Sequence, residues 1–399
     1  MGTAEAPIPA GEPIPLNDLS HVEAVLAEMW RVAAESAAGE ADNGKPLVRV
    51  SLANVIAVTD MERTGTLSET LDRLSLHRPA RVLIAGIDPR LGEAPIQGYV
   101  RAVCHRPAPD TPQICCEHVH LQLGPPSLKL LPGVVASLLE ADLPSLLWWD
   151  AAWGGRAATL ARLGREVDTI VIDSELAGPT AALQTVLGDL PGGVHDLAWA
   201  RLTPWRRHLA AVFDDPLTLG LLSSLRAVEI ENLAPARPSP PAQALLYHGW
   251  LAGQLGWEIE APLERSSTGW SGTARSRQGR VRLSVKLRGE PRDPAVEPAG
   301  AELVGVRLEA AEDGLITVTS LPGSSSFEIR VQQREACPLP QRLARTGQGP
   351  EEIIGGALES PSREDAVYAR ALAQAVALAG SVSQGPAGRK AEGEQGGSI

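Results

Sequence analysis

The residues with the clearest ligand chemistry are the cysteines and histidines of two short runs, Cys104-His105 and CCEHVH at residues 115–120. Successive side chains of a strand alternate between its faces, so Cys116, His118 and His120 share one face. Three such ligands could bind zinc, but their spacing is not the CxxC or HxxxH type that closes a tetrahedral site. We therefore expect no metal site. We also expect Cys115 and Cys116 to be buried, inert thiols rather than a redox switch.

Acid–base catalysis is the second chemistry to consider, because carboxylates stand near the ends of predicted strands and helices, where α/β proteins place their sites. These carboxylates are Asp150, Asp173, Glu175, Asp196, Asp214 and Asp215. A pair such as Asp214 and Asp215 could serve as general acid and base, but such pairs more often belong to turns and helix ends. No set of nucleophile, base and orienting group can be assembled, so we expect no catalytic residues.

The most unusual segment is DLAWARLTPWRRHLAAVFDD at residues 196–215, in a chain that has only two Phe and three Tyr. Thr203 and Pro204 are typical of a helix start. The apolar side chains that follow share one helical face, which leaves Arg207 on the opposite face and Arg206 at its margin. Two arginines in a first turn oppose the helix dipole, so local helix stability does not explain them. The segment indicates either a core junction or a core that also presents a recognition surface that includes Trp205.

The elements around these residues predict an α/β fold. The first half alternates apolar strands with helices, which is typical of a mainly parallel sheet with crossover helices. Its predicted strands are Leu47–Thr59, Ala80–Ile87, Pro144–Trp149 and Val167–Asp173, with an added antiparallel hairpin of Ile96–Cys104 and Gln113–Leu123. The second half predicts an α+β arrangement, in which a helix rich in small residues precedes an antiparallel meander. These elements are Ala242–Leu255, Val281–Arg288, Glu302–Leu308, Leu315–Ser320 and Ser326–Gln332.

Composition divides the chain into four parts. Residues 1–16 are rich in proline and alanine and predict a mobile arm, whereas residues 17–190 predict an α/β domain with a leading helix. Residues 191–380 predict the α+β domain with the Trp/Arg-rich junction, and residues 381–399 a disordered tail. We place the boundary at Pro191-Gly192-Gly193, after a predicted helix at Ala181–Leu187.

The totals exclude several classes of protein. A net charge of −12 and a pI near 5.2 argue against nucleic acid or an anionic membrane as the partner. The longest apolar runs are too short to span a bilayer, and the first residues lack the pattern of a signal peptide. Four cysteines in 399 residues do not make a disulfide framework, so we expect a cytoplasmic protein. The sequence has neither GxGxxG after the first strand nor GxxxxGK[ST], which counts against a bound nucleotide cofactor.

Several stretches together resemble the OpcA family, the glucose-6-phosphate dehydrogenase assembly proteins of bacteria. They are Arg81–Ile84 after His77-Arg78-Pro79, Cys115-Cys116-Glu117, Leu143-Pro144 with Trp148-Trp149, DLAWARLTPWR from Asp196 to Arg206, and ALLYHGWLAGQLGW from Ala244 to Trp257. The DLxWxRLTPWR string is long and specific, whereas Cys-Cys-Glu alone would be weak. The resemblance runs from about residue 17 to the meander.

The resemblance implies a non-catalytic, allosteric partner that binds glucose-6-phosphate dehydrogenase and promotes its active oligomer in the oxidative pentose phosphate pathway. Arg201, Trp205, Arg206 and Arg207 are then candidates for partner binding, because tryptophan and arginine are common at interface hot spots. Cysteines make some members redox-responsive, but this chain has none after Cys337, so no C-terminal thiol switch is expected. The alternative is a stand-alone sugar-phosphate-binding protein or enzyme that uses the carboxyl edge of the sheet, with arginines as phosphate clamps.

Overall fold

The computed structural model describes residues 8–9, 12–16, 18–39, 47–108, 111–176, 193–233, 239–289, 302–321, 324–333, 339–344, 349–359 and 365–380. Within these ranges the helices are α1 (Val22–Gly39), α2 (Thr64–His77), α3 (Leu131–Leu138), α4 (Ala157–Leu163), α5 (Leu197–Arg201), α6 (Thr203–Val212), α7 (Pro216–Ser223), α8 (Ala242–Leu255), α9 (Pro350–Glu359) and α10 (Ala366–Ala379). The predicted helix Ala181–Leu187, most of the linker at Pro191-Gly192-Gly193 and the tail 381–399 lie outside the described residues.

The first sheet is mostly parallel, as predicted. Its strands are β1 (Ile8–Pro9), β2 (Ile14–Leu16), β3 (Leu47–Arg49), β4 (Asn54–Asp60), β5 (Arg81–Ile87), β6 (Gln97–His105), β7 (Gln113–Leu123), β8 (Ser145–Trp149), β9 (Thr169–Ile172) and β10 (Val194–Asp196). Six of them form the parallel series β7-β5-β4-β8-β9-β10, and the predicted hairpin is present because β6 pairs antiparallel with β7. This is a doubly wound order whose direction reverses between β4 and β8.

Burial on both faces explains the strand sequences of this sheet. All seven side chains of β5 and all five of β8 are buried, so both strands are almost wholly apolar. Helices α1 and α3 cover one face, and α2 covers the other. The predicted strand Leu47–Thr59 is in fact two strands, since β3 pairs with β7 whereas β4 lies between β5 and β8.

The N-terminal segment differs from the expected mobile arm. Its described residues include β1 and β2, which both pair antiparallel with β6. Without them, β6 would be a long edge strand with unpaired backbone groups, which explains why a short Pro-containing segment is held there.

The second sheet is mostly antiparallel and contains the predicted meander. Its strands are β11 (Leu225–Leu233), β12 (Glu258–Ser266), β13 (Gly269–Ser276), β14 (Gly279–Arg288), β15 (Leu303–Ala310), β16 (Leu315–Ser320), β17 (Ser326–Gln332) and β18 (Gln341–Ala344), in the order β12-β13-β14-β11-β15-β16-β17-β18. Within this second sheet, β11 and β14 are the only described strands that pair in parallel. The sequence did not predict β12 and β13, whose apolar alternation is broken by charged residues and by irregular pairing at Ala261.

One face of the second sheet is covered by helices α6, α8 and α10, which share its main apolar core. Helices α8 and α10 cross closely because Gly249 has no side chain. A Cβ at that position would lie 2.1 Å from the Ala371 carbonyl oxygen. The small residues noticed in the sequence of α8 therefore serve this close approach.

The division of the chain into domains is not strictly sequential. Helix α9 follows the second sheet, yet Ile354 and Ala357 are buried against Leu71 and Leu74 of α2 on the first sheet. Arg78 at the end of α2 also pairs with Glu359. The expected assignment of all residues from 191 to 380 to the second domain is thus wrong for α9.

Candidate functional site at the carboxyl edge and the junction of the sheets

Five neighbouring parallel strands of the first sheet place an aspartate at the same edge. In sheet order these residues are Asp88, Asp60, Asp150, Asp173 and Asp196, each the last residue of its strand or the next one. The carboxyl edge of a doubly wound sheet is where such folds bind ligands, above all at the point where the strand order reverses. Asp60 and Asp150 stand at that point. We call this row the carboxyl edge.

Each aspartate of the carboxyl edge already has partners within the chain. The ion pairs are Arg90–Asp88 at 2.9 Å, Arg156–Asp60 at 2.5 Å, Arg63–Asp150 at 2.8 Å and Arg201–Asp173 at 2.7 Å. Asp196 accepts hydrogen bonds from the backbone of Ser174 and Ala198 and from the Tyr368 hydroxyl at 3.0 Å. The arginines point at these carboxylates, so the row is filled from within the molecule.

Burial dominates the electrostatics of this edge and raises the pKa of three of its carboxyl groups. Burial raises the pKa of Asp150 to about 7, against the opposing effect of Arg63. Burial and the Asp173 charge raise the pKa of Asp196 to about 6, and burial raises that of Glu175 to about 7. Burial opposes the charge of Arg201, yet Asp173 and its neighbours hold the pKa of that guanidinium above its usual value. Each of these arginines is already paired with a carboxylate, so an anionic ligand would have to compete with that carboxylate for it.

The DLAWARLTPWR string lies at the junction between the two sheets. Asp196 caps α5 and reaches Tyr368 of α10, and the Trp199 indole donates to Asp365, the N-cap of the same helix, at 3.0 Å. Glu175 accepts from the backbone N–H of Gln243 at the start of α8. The string therefore joins the carboxyl edge to α10, whereas Glu175, which precedes the string, joins the same edge to α8.

The four candidate partner-binding residues have different surroundings. Arg201 is paired with Asp173, and Trp205 is 1% exposed in the core, edge-on to Phe327 at 4.5 Å. Trp205 thus cannot itself contact a partner in this structure. Arg207 is exposed, and no described residue forms an ion pair with it. Thr203 is not the expected N-cap, because α5 runs into α6 through Leu202.

Arg206 packs against the molecule rather than extending from it. Its guanidinium lies 3.3 Å from the centroid of the Trp199 ring and donates to the Thr203 hydroxyl at 3.0 Å. Burial lowers the pKa of Arg206 to about 10. This stacking explains an arginine in the first turn of α6 better than the helix dipole does.

The cysteines combine a correct and a wrong expectation. Cys115 and Cys116 are both buried, as predicted. However, Cys104 and Cys115 are directly opposite on β6 and β7 and form a disulfide bond, so Cys115 is not a free thiol. Cys116 is free and points to the other face, where burial raises its pKa. Sequence alone missed the bond because it does not fix the register of the hairpin.

His118 and His120 lie on the face predicted for them, in a polar cluster under α2. His118 is 3.3 Å from Asp72 and 3.2 Å from the Ser75 hydroxyl, a spacing that resembles a catalytic triad. The Ser75 hydroxyl donates to the Leu71 carbonyl at 2.8 Å, so its proton is directed at the backbone of α2 and not at His118. Burial keeps the pKa of His118 well below its usual value. The cluster is therefore a structural polar network.

Glu117 of the Cys-Cys-Glu motif and Arg81 of the earlier motif form a buried ion pair. Glu117 is 0% exposed and also accepts from the Trp30 indole at 2.9 Å, which ties α1 to the sheet. Arg81 additionally donates to the Leu138 carbonyl at 2.7 Å. These motif residues hold the amino edge of the sheet together.

The described residues contain no candidate metal site and no candidate membrane-spanning helix. No group of three or more His, Cys, Asp or Glu in the described ranges could hold a metal ion. No helix within them has the length and apolarity needed to cross a membrane.

The fold and the site define a two-sheet α/β protein, with one mostly parallel and one mostly antiparallel sheet, whose carboxyl edge is closed by its own side chains. Two family profiles match this chain, described as the N-terminal domain of a glucose-6-phosphate dehydrogenase subunit at residues 71–187 and its C-terminal domain at residues 192–372. The chain belongs to the OpcA family.

Named relatives agree with this assignment. The OxPP cycle protein OpcA of Synechococcus elongatus is 27% identical over 340 residues, which cover 82% of this chain and 70% of that protein. Those of Synechocystis sp. and Nostoc punctiforme are 30% identical over 41% and 47% of this chain, and the alignments span only 34% and 40% of those proteins. A 3-ketoreductase from Actinomadura kijaniata solved with NADP has a TM-score of 0.49 and 12% identity, covering 82% of this chain and 96% of that one. At such identity the likeness says nothing about chemistry.

The sequence predicts only some of the carboxylates that form the carboxyl edge. Asp150, Asp173, Glu175 and Asp196 were recognised, whereas Asp60 and Asp88 were not. The signal was available, because each aspartate directly follows an apolar strand. Their arginine partners lie elsewhere along the chain in most cases, and no spacing rule connects them.

Proposed function

We propose that this protein is a non-catalytic assembly factor and allosteric activator that binds glucose-6-phosphate dehydrogenase in the cytoplasm. It would thereby support the oxidative pentose phosphate pathway. The family assignment supplies the partner. The closed carboxyl edge is the observation that carries the non-catalytic part, because the place where a doubly wound sheet binds its ligand holds buried aspartates and their arginines instead.

A stand-alone sugar-phosphate-binding protein is disfavoured by the same residues. That reading uses Arg201, Arg206 and Arg207 as phosphate clamps, and of the three only Arg207 is exposed. Arg201 is committed to Asp173, and Arg206 lies over Trp199. A phosphate would have to displace a buried carboxylate to reach Arg201.

An activity titration tests the proposal. Purified dehydrogenase is assayed over a range of glucose 6-phosphate concentrations, with and without this protein, while its oligomeric state is followed by light scattering. We expect a lower KM or a higher kcat together with a larger dehydrogenase assembly. NADPH production by this protein alone would contradict the non-catalytic assignment, and an unchanged dehydrogenase at saturating protein would refute activation.

We further propose that Arg207 contributes to the surface that binds the dehydrogenase, with Arg206 and Arg201 behind it. Arg207→Glu should weaken binding at least tenfold while the Tm stays the same, because its side chain is exposed and has no ion-pair partner among the described residues. Arg206→Glu should instead lower the Tm, since it removes the stack on Trp199.

Arg162→Glu is the matched control for this pair of variants, because Arg162 is an exposed helical arginine of α4 on the first sheet. If Arg207→Glu and Arg162→Glu bind the dehydrogenase equally well, α6 has a structural role only and the interface lies elsewhere.

A further inference from the structure

The junction between the two sheets gathers more carboxylates than cations. Asp173 and Glu175 follow β9, and Asp196 ends the neighbouring strand β10. The Ser174 N–H donates to Asp196 and the Glu175 N–H donates to Asp173, each at 3.1 Å, so the three carboxylates share one short stretch of the carboxyl edge. Arg201 contacts both oxygens of Asp173, at 2.7 and 2.9 Å. One paired cation therefore serves three carboxylates.

The charged groups nearest to these carboxylates do not correct the imbalance, because they balance each other. On β8, Asp150 is paired with Arg63 at 2.8 Å. On α10, Asp365 accepts from the Trp199 indole, and Arg206 of α6 lies over the ring of the same tryptophan. Each of these two acidic groups thus has its own cation.

The remaining titratable groups on the elements that pack at the junction are neutral, distant or exposed. Burial lowers the pKa of one histidine and raises that of two tyrosines, which keeps all three uncharged near neutral pH: His195, Tyr247 and Tyr368. The glutamates of α9 contact Arg73, the Gly349 backbone and Arg78 instead, and they are Glu351, Glu352 and Glu359. The arginines left on α6 and α10 are exposed, namely Arg207 and Arg370. Two negative charges are thus in excess when all three carboxyl groups of the junction are ionised.

Hydrogen bonds hold two of the three carboxyl groups in the ionised form. Both oxygens of Asp173 face Arg201. Asp196 accepts two backbone N–H groups on Oδ1 and the Tyr368 hydroxyl on Oδ2. Donors that point at both oxygens favour the charged state and leave little room for a proton. The pKa of Asp196, raised to about 6 by burial and Asp173, still leaves it ionised at neutral pH.

Glu175 is the carboxyl group that can hold a proton. It is partly buried, and its Oε1 accepts from the Gln243 N–H at 2.7 Å. No ion pair joins it to Arg201, which attracts it only at longer range, whereas Asp173 repels it. A carboxyl group with neutral donors, a like charge beside it and little water is favoured in its protonated form. Burial and Asp173 accordingly raise its pKa to about 7.

The hydrogen bond of Glu175 crosses the junction. Glu175 belongs to the first sheet, whereas α8 packs in the main core of the second. Pro241, the N-cap residue of α8, makes no side-chain cap, so Glu175 supplies an acceptor for the first turn from another element. A neutral carboxyl group keeps this bond through its carbonyl oxygen. An ionised one is repelled by Asp173 and needs water, which it gains when the start of α8 moves away.

We infer that Glu175 is a proton-dependent contact between the two sheets, which holds the start of α8 to the carboxyl edge when protonated and releases it when ionised. The step is a simple ionisation, in which the carboxyl O–H bond breaks and water accepts the proton. Because the folded-state pKa is raised, the contact is complete at low pH and is lost as the pH rises through about 7.

Hydrogen exchange of the full chain, followed by mass spectrometry at about pH 6 and about pH 8.5, tests this inference. Protection is expressed relative to the exchange rate of an unstructured chain at the same pH. In wild type, protection of peptides from residues 242–255 should fall at least about fivefold from the lower to the higher pH. Glu175→Gln can still accept from Gln243 and cannot ionise, so its protection should fall less than about twofold.

A second variant and a control accompany this measurement. Asp173→Asn removes the neighbouring charge and frees Arg201 for Glu175, so its protection should fall less than that of wild type. Glu166→Gln makes the same chemical change as Glu175→Gln at an exposed position on the first sheet and should behave as wild type. Peptides of β5, which is buried throughout, should keep their protection in every variant.

Three results would overturn the inference. The first is protection of α8 in wild type that does not change with pH. The second is a fivefold fall that persists in Glu175→Gln, which would assign the pH effect to another group. The third is an equal fall at β5 and α8, which would mean that the whole protein opens and that the contact is not a local one.

Discussion

The carboxyl edge of the first sheet and the outer face of the second sheet, which is the side opposite its covering helices, are both rich in charged side chains. The edge buries its charged side chains, whereas the outer face exposes them to water. At the edge, Asp150 and Asp196 are each 3% exposed, and every charge has a specific partner. On the outer face, Arg330 and Arg342 also pair with Glu328, but they are 61% and 74% exposed, so water solvates both arginines. A buried charge that loses its partner is costly, whereas an exposed one is not.

This difference distinguishes charged residues that hold the fold together from charged residues that remain accessible to another molecule. The edge that an α/β enzyme would use for its ligand is here part of the junction between the sheets. The positions still free to meet another molecule are the solvated ones. Four tests, from the largest expected effect to none, can break or sharpen this contrast.

Removal of an arginine should lower the free energy of unfolding far more at the carboxyl edge than on the outer face. Arg201→Met leaves Asp173 beside Glu175 and Asp196 with no cation of its own, so we expect a loss of about 2 to 4 kcal/mol in the free energy of unfolding. Arg201 is itself about a third exposed, which holds the value below that of a fully buried pair. Urea unfolding measures this loss in the free energy of unfolding.

Arg307→Met on the outer face is the matched comparison, and it should cost less than about 1 kcal/mol. Equal losses for the two variants would mean that the edge is not held by its ion pairs.

Acidic pH should destabilise the second sheet through a buried histidine on its helix-covered side. His248 donates from Nε2 to the Ser284 carbonyl, and burial lowers its pKa to about 4. A lowered histidine pKa means that this stabilisation is complete above about pH 6.5 and is lost as the pH falls to about 4. We expect His248→Gln to unfold with a shallower decline of stability between pH 6.5 and 4 than wild type. Parallel declines would show that His248 is already charged in the folded protein.

Alkaline pH should destabilise the junction between the two sheets, by a smaller amount than acid destabilises the second sheet. Burial raises the pKa of Glu175 to about 7, so its contribution is present below about pH 4.5 and is lost as the pH rises to about 7. Glu175→Gln can still accept from Gln243 and does not ionise. We expect its Tm to exceed that of wild type by about 3 °C at pH 8, and the gain to shrink at pH 5. A Tm gain that is the same at pH 5 and pH 8 would show that the variant acts through packing and not through ionisation of Glu175.

A reductant should leave binding of the dehydrogenase unchanged, because helix α6, which carries Arg207, contains no cysteine. Cys104 and Cys115 are 0% exposed under α1, which protects their bond from attack. Dehydrogenase binding should therefore agree within twofold before and after incubation with reductant. A several-fold change that Cys104→Ser with Cys115→Ser abolishes would make this disulfide regulatory.

Much of the fold could be predicted from the sequence because hydrophobic periodicity reports burial directly. The apolar runs of β5 and β8, the small residues of α8 and the alternation of β16 and β17 all correspond to observed elements. The alternation also assigned Cys116, His118 and His120 correctly to one face.

The remainder depended on contacts between distant residues. The Cys104–Cys115 bond requires the register of two strands, and the Arg206 stack requires knowing where Trp199 points. Strand β12 was missed because an edge strand buries little and so lacks an apolar signature. Identification of the edge aspartates as a row needed the strand order, which no local pattern supplies.

Helix α9 has a consequence for synthesis of the protein. The apolar face of the first sheet that α9 helps to cover is complete in sequence by Leu197, but α9 itself follows about 150 residues later. At the usual pace of translation that is a delay of roughly 8 to 30 s. During this interval a nascent chain carries a folded sheet with Leu71 and Leu74 only partly protected. A chain truncated after the meander would lack α9 altogether, and the apolar residues that α9 covers would make it prone to association.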